Sequence, residues 1–133
     1  ALASVGVRYL LVGARPSQAP YMIPDHLARA DPLVERFEHW ARGRLAEGFS
    51  LDAAAAALAT STRTLQRRIE AVLGKSPLSY VQDLRVERAV HLLRTSKLNI
   101  EAIAAEVGYG DGATLRTLLR RRLGRGVREL RGA

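Results

Sequence analysis

The 133-residue chain has no cysteine, which excludes disulfides, thiolate zinc sites and cysteine nucleophiles and is compatible with a reducing cytosol. No apolar run approaches the ~20 residues a bilayer-spanning helix needs, so neither a transmembrane helix nor a membrane partner is expected. A secretory signal is not expected either, since no Lys/Arg-flanked apolar start with a small-residue cleavage site is present. β-Branched residues are scarce: Val and Ile total 14, against 21 Ala, 20 Leu and 19 Arg. Helix formers so outnumber strand formers that an all-α fold is expected. The histidines His26, His39 and His91 stand far apart, without His-Glu-x-x-His or comparable ligand spacing. Gly-rich phosphate loops of the dinucleotide or P-loop type are missing too. An enzyme, a metal site and a cofactor are therefore not expected. His91 is expected as a partly buried polar residue on a long helix, and His39 on the edge of another.

What is present is 47% hydrophobic residues, enough to bury a core, on a length that suits one domain or two small subdomains. The chain begins with Ala and is read as a piece of a longer protein. Its net charge of +8 points toward a polyanionic partner, and the distribution of that charge says more than its size. Residues 1–48 are nearly neutral, with six basic and five acidic groups. Residues 61–75 carry Arg63, Arg67, Arg68 and Lys75 against Glu70, and residues 111–133 carry seven arginines against Asp111 and Glu129.

Residues 3–12 form a short apolar segment, and three prolines between Pro16 and Pro24 read as an extended linker. Asp31-Pro32 is a carboxylate cap followed by proline at the first helical position, opening a helix expected to reach about Glu47 and stop at Gly48. Leu33, Phe37, Trp40, Ala41 and Leu45 recur along it at helical spacing, with Trp40 a core anchor. Ser50 caps a helix over 51–58, and Ser61 caps one over 62–73 that Gly74 closes. Leu65, Ile69, Val72 and Leu73 face inward there, leaving Thr62, Arg63, Thr64, Gln66, Arg67 and Glu70 outside. Ser76-Pro77 opens a helix to about Thr95, whose apolar side is Leu78, Val81, Leu84, Ala89, Leu92 and Leu93. Arg85 projects into that arc, so it must pair with a carboxylate or extend along its stem to water. Asn99 caps a helix over 100–107, Asp111 caps one over 112–123 that Gly124 ends, and a short helix over 127–131 follows.

Two stretches repeat. Ser50, Leu51 and Leu58 answer Asn99, Ile100 and Val107 at an offset of 49. After one extra turn residue, Leu65, Ile69, Leu73 and Gly74 answer Leu115, Leu119, Leu123 and Gly124 at an offset of 50. Each copy is a short helix, a tight turn and a longer basic helix, with the arginines opposite the apolar stripe. That is the pattern of a helix-turn-helix, whose second helix can enter a DNA major groove. The helix between the copies, at ~1.5 Å per residue, is roughly 28 Å long and suits the ~34 Å of one DNA turn.

The run Ser61-Thr-Arg-Thr-Leu-Gln-Arg-Arg, followed by Leu73-Gly-Lys-Ser-Pro-Leu-Ser-Tyr-Val-Gln-Asp-Leu-Arg-Val-Glu-Arg-Ala, resembles the AraC/XylS family of bacterial transcription regulators. Ile100-Glu-Ala-Ile-Ala-Ala-Glu-Val-Gly-Tyr and Leu119-Arg-Arg-Arg-Leu-Gly are similar to that family's second motif, so the resemblance spans about residues 32–131. Val7-Arg-Tyr-Leu-Leu-Val and Arg15-Pro-Ser-Gln-Ala are similar to the region where GlxA-like members leave a class I glutamine-amidotransferase-like sensor domain. The resemblance implies a remnant of that domain over 1–14 and a linker over 15–31. A first helix-turn-helix subdomain (32–75), a linker helix (76–95) and a second subdomain (96–133) then follow.

It also implies a cytoplasmic, nucleoid-associated bacterial protein that binds double-stranded DNA sequence-specifically, the parent regulator also meeting RNA polymerase. Both second helices would lie in successive major grooves. Base contacts would come from Arg63, Gln66 and Arg67 in the first motif and Ala113, Arg116, Thr117 and Arg120 in the second. Side-chain chemistry agrees: Arg suits guanine, Gln suits adenine, and Ala and Thr methyls suit thymine. Arg68, Lys75, Arg121, Arg122 and Arg128 are better placed to hold phosphates, joined by backbone N–H groups at Leu51 and Ile100. The chain departs from the family where leucines replace phenylalanines at Leu115, Leu118 or Leu119, and where Gly126-Val127 replaces the usual Ser-Pro before the last helix. The alternatives are a sequence-blind nucleic-acid coat and a basic protein-interaction or membrane-surface module. The second is disfavoured because the leucines of 114–131 are needed to close the second motif's core.

Overall fold

The computed structural model describes residues 30–132, so the expectations for 1–14 and nearly all of 15–31, and that for His26, lie outside the described residues. Among the described residues there are seven helices and no strand. They are α1 (Pro32–Arg42), α2 (Leu51–Ala57), α3 (Thr62–Leu73), α4 (Pro77–Thr95), α5 (Ile100–Glu106), α6 (Gly112–Leu123) and α7 (Val127–Leu130). None is long and apolar enough to cross a membrane.

Local chemistry sets most of these boundaries. Ser50, Ser61, Ser76, Asn99 and Asp111 each accept a backbone N–H of the first turn through the side chain, satisfying a donor the helix itself leaves unpaired. Gly74 (φ 72°) and Gly124 (φ 70°) end the two longer basic helices in the same left-handed conformation. The first helix is shorter than expected. It stops at Arg42: beyond Gly43 the backbone closes i→i−3 turns, Arg44 N–H to the Ala41 carbonyl and Glu47 N–H to the Arg44 carbonyl, rather than continuing as α-helix to Glu47. Leu45 still reaches the core, 7% exposed, while the Arg44 guanidinium lies 5.3 Å from the centre of the Trp40 ring. The last helix ends at Leu130 and has no side-chain cap; Arg131 holds it instead, donating to the carbonyls of Ser96 and Leu98.

Two apolar clusters divide the molecule. Phe37, Leu65, Ile69, Tyr80 and Leu84 centre the first, and Phe37 meets Phe49 edge-on at 6.1 Å. Val86, Leu93, Ile103, Leu115 and Leu119 centre the second. The border falls between Leu84 and Val86, so α4 gives its first half to one cluster and its second half to the other. That double duty corrects the expected single stripe: Leu78 is 48% exposed, whereas Tyr80, Val86 and Val90 are buried. A helix covered by neighbours on several sides has no single apolar face. His91, expected as partly buried, is exposed, because the second cluster takes Val90, Leu92 and Leu93 and leaves position 91 outward.

The turns of the two copies match in the backbone. Ala59 (φ 56°) and Gly108 (φ 95°) occupy answering positions, 49 residues apart, and both are left-handed. An alanine there is strained by ~1–2 kcal/mol, partly offset by the ~0.5–1 kcal/mol that glycine's greater unfolded freedom would cost. Ala59→Gly is therefore expected to stabilise the protein by about 0.5–1 kcal/mol, read as a higher urea midpoint. A lower midpoint would remove the claim of strain.

Candidate nucleic-acid interface

The inner stripe of α3 is Leu65, Ile69 and Leu73, at intervals of four residues and no more than 7% exposed. Fixing that stripe in the core turns Arg63, Gln66 and Arg67 to solvent on the other side. Gln66 Nε2 donates to Glu70 Oε2 at 3.2 Å, which orders the amide on this face. In α6 Gly112, Leu115, Leu118 and Leu119 are buried, and Ala113, Arg116, Thr117 and Arg120 are exposed. Each motif thus presents a mainly cationic outer face on its second helix. Glu70 is the exception, and it answers Arg120 in the repeat, so the two faces carry opposite charge at one matched place.

Asp111 caps α6, and the Thr114 amide, helped by its hydroxyl, holds the carboxyl below its usual range. Glu101 on α5 accepts the Gly112 N–H at 3.1 Å, tying the two helices of the second motif together. A Cβ at Gly112 would stand 2.4 Å from Glu101 Oε2 and push that carboxylate aside.

The side chains expected at phosphates fall into two groups. Arg121 and Arg128 are exposed. Arg68, half-exposed, donates through Nε to Asp31 Oδ2 at 2.8 Å, and Asp31 also accepts the Leu33 and Val34 amides as the cap of α1. Lys75 donates to Asp83 Oδ2 at 2.5 Å. Arg122 donates to Asp83 Oδ1 and, at 2.9 Å, to Gln82 Oε1. Sequence reasoning missed both carboxylates as partners. The signal that could have found Asp83 is its place beside Leu84 and three residues after Tyr80, on the buried side of α4.

Arg85 corrects an expectation. Buried at 7% exposure, it neither reaches water nor has a carboxylate partner among the described residues: it donates to the Glu47 carbonyl at 3.1 Å and lies 5.4 Å from the centre of the Tyr109 ring. The chain leaving α1 turns back toward α4 and the α5–α6 turn brings Tyr109 over the guanidinium, while the buried Nε is left without a hydrogen-bond partner among the described residues. Burial pushes the Tyr109 hydroxyl up, against the opposing pull of Arg85.

Burial pushes Asp31 up, but the Arg68 guanidinium and the Val34 and Leu33 amides outweigh it and hold the carboxyl below its ordinary 3.8. A depressed folded-state value means stability that is present above the ordinary value and lost as pH falls through the folded one. Asp31→Ala is expected to cost about 1–2 kcal/mol at neutral pH, mostly as the lost cap. The gap from the parent chain should shrink in urea melts at about pH 2.5. An equal gap at both pH values would contradict the charged-cap account.

Against known proteins, a family profile described as "Helix-turn-helix domain" matches residues 54–133. The chain is 38% identical over 101 residues to the HTH-type transcriptional activator RhaS of Escherichia fergusonii, covering 76% of this chain and 36% of that protein. It is 33% identical over 122 residues to RhaS of Salmonella arizonae, covering 92% of this chain and 42% of that protein. The chain therefore spans well under half the length of these curated relatives. Among solved structures it is similar to an AraC-type regulator from Chromobacterium violaceum (TM-score 0.74, 27% identity, 78% of this chain and 93% of that one). It is also similar to the DNA-binding domain of AdpA in complex with a target DNA (TM-score 0.67, 35% identity, 76% of this chain and 90% of that one).

Proposed function

The chain belongs to the helix-turn-helix family of AraC-type DNA-binding domains, and from that premise we propose that it reads two segments of one duplex by setting α3 and α6 in successive major grooves. The observation that carries this reading is the pair of outer faces, each backed by a leucine-rich stripe and preceded by a left-handed turn residue and a side-chain cap. Arg63, Gln66 and Arg67 would meet bases from α3, and Ala113, Arg116, Thr117 and Arg120 from α6. Arg68, Lys75, Arg121, Arg122 and Arg128 would lie toward phosphates, with Arg121 and Arg128 the freest to do so and Lys75 and Arg122 already engaged by Asp83.

The parent protein would be a transcription regulator of the bacterial cytoplasm that meets RNA polymerase once bound. Residues 7–19 favour a GlxA-like member with an upstream amidotransferase-like sensor. The domain division follows the same reading, with subdomains 32–75 and 96–133 about a linker helix, 76–95. Selection of bound duplexes from a random pool tests the function directly. The expected product is two preferred segments with centres ~10 base pairs apart. Recovery of no preferred sequence would favour a sequence-blind coat and overturn the reading.

A further inference from the structure

One carboxylate engages the C-terminal ends of both second helices. Lys75 stands two residues past Leu73, the last residue of α3, and Arg122 is the last but one of α6. Both converge on Asp83, which projects from the first half of α4 and is 8% exposed. Each carboxylate oxygen has its own cation, Oδ2 for Lys75 and Oδ1 for Arg122, and the neighbouring Gln82 fixes the other arm of the guanidinium. The apolar clusters change over between Leu84 and Val86, within three residues of this point. Apolar contact is non-directional, whereas charge-assisted bonds to both oxygens of one carboxylate restrict direction as well as distance. Across α4, about 200° round the helix from Asp83, Arg85 joins the chain after α1 to the Tyr109 turn. Polar links therefore flank α4 on two sides at the place where the apolar core is divided.

We propose that Asp83 is a positioning residue that sets the angle between α3 and α6, and through it the spacing of the two DNA segments the chain accepts. The proposal rests on the two-groove reading above. Asp83 touches no DNA in this role; it acts through Lys75 and Arg122, one negative charge shared between two positive ones. Removing its charge leaves two part-buried cations facing each other, and the easiest relief is for the end of α6 to swing away. The angle then becomes variable rather than fixed.

The test uses the whole chain and a duplex recovered from the random pool, with the spacer between its two protected segments also lengthened or shortened by one base pair. The parent chain should prefer the recovered spacing by on the order of tenfold or more. Asp83→Asn should reduce that preference to about threefold or less, by losing affinity for the recovered spacing while holding or gaining it on the altered ones. Asp83→Glu, which keeps the charge, should restore most of the preference. Arg122→Gln, tested alongside by circular dichroism and melting, gives the same flattening should Asp83→Asn fold poorly. An unchanged spacing preference in folded Asp83→Asn or Arg122→Gln, with affinity merely lower throughout, overturns the proposal and leaves Asp83 a stabilising ion-pair partner. Protection of a single segment by the parent chain would instead sink the two-groove reading, and the proposal with it.

Discussion

Gly108→Ala should destabilise the protein by about 3 kcal/mol, the largest loss expected from adding one methyl group. Gly108 has φ 95°, and a Cβ there would stand 2.1 Å from the Leu45 carbonyl oxygen and 3.3 Å from the Arg85 guanidinium. Relief requires moving the main chain after α1 or breaking the Arg85 contacts, since a carbonyl oxygen cannot rotate aside as a flexible side chain can. Ala59, at the answering position of the first copy, carries its Cβ because it is exposed. The same turn is therefore tolerant in one copy and intolerant in the other. Urea denaturation measures the difference; a loss under about 1 kcal/mol for Gly108→Ala would mean that the two halves are not in close contact at Leu45.

Arg67→Ala and Arg116→Ala should each cost on the order of 1–3 kcal/mol on the recovered duplex and relax preference at one base position. They lie on different helices and share no partner, so the double variant should lose roughly the sum, about 2–6 kcal/mol, and approach sequence-blind binding. Arg121→Ala is the control: exposed in the last turn of α6, it should weaken binding to all sequences and lower the salt slope by about one unit. Binding titrations on recovered and scrambled duplexes at several salt concentrations separate the two behaviours. Equal weakening on both duplexes by Arg67→Ala and Arg116→Ala would remove these residues from base reading.

What could be read without coordinates was the chemistry that acts within a few residues. Ser61 to Gly74, Ser76-Pro77 to Thr95, and Asp111 to Gly124 were all legible, because a cap bonds its own first turn and a glycine ends its own helix. The outer faces of α3 and α6 were legible for the same reason: once the leucine stripes face inward, helical geometry settles the rest. Partners distant in sequence were not legible. Arg68 finds Asp31 across 37 positions and Arg122 finds Asp83 across 39, and no local pattern encodes either meeting. Arg85 shows the limit most clearly. Its place among leucines pointed to either a carboxylate partner or a stem extended to water, but a backbone carbonyl and a tyrosine ring, supplied by two different turns, took the place of both.

The opposite charges of Glu70 and Arg120 have an outcome for whatever duplex the chain occupies. Twofold assemblies of identical readers see the same letters from either end and cannot tell left from right. Here the halves are unlike and covalently ordered, so a duplex read by both, as proposed above, would acquire a head and a tail. On the two-groove reading, reversing the stretch end for end would present each half with the other's letters, so the two orientations would differ in affinity.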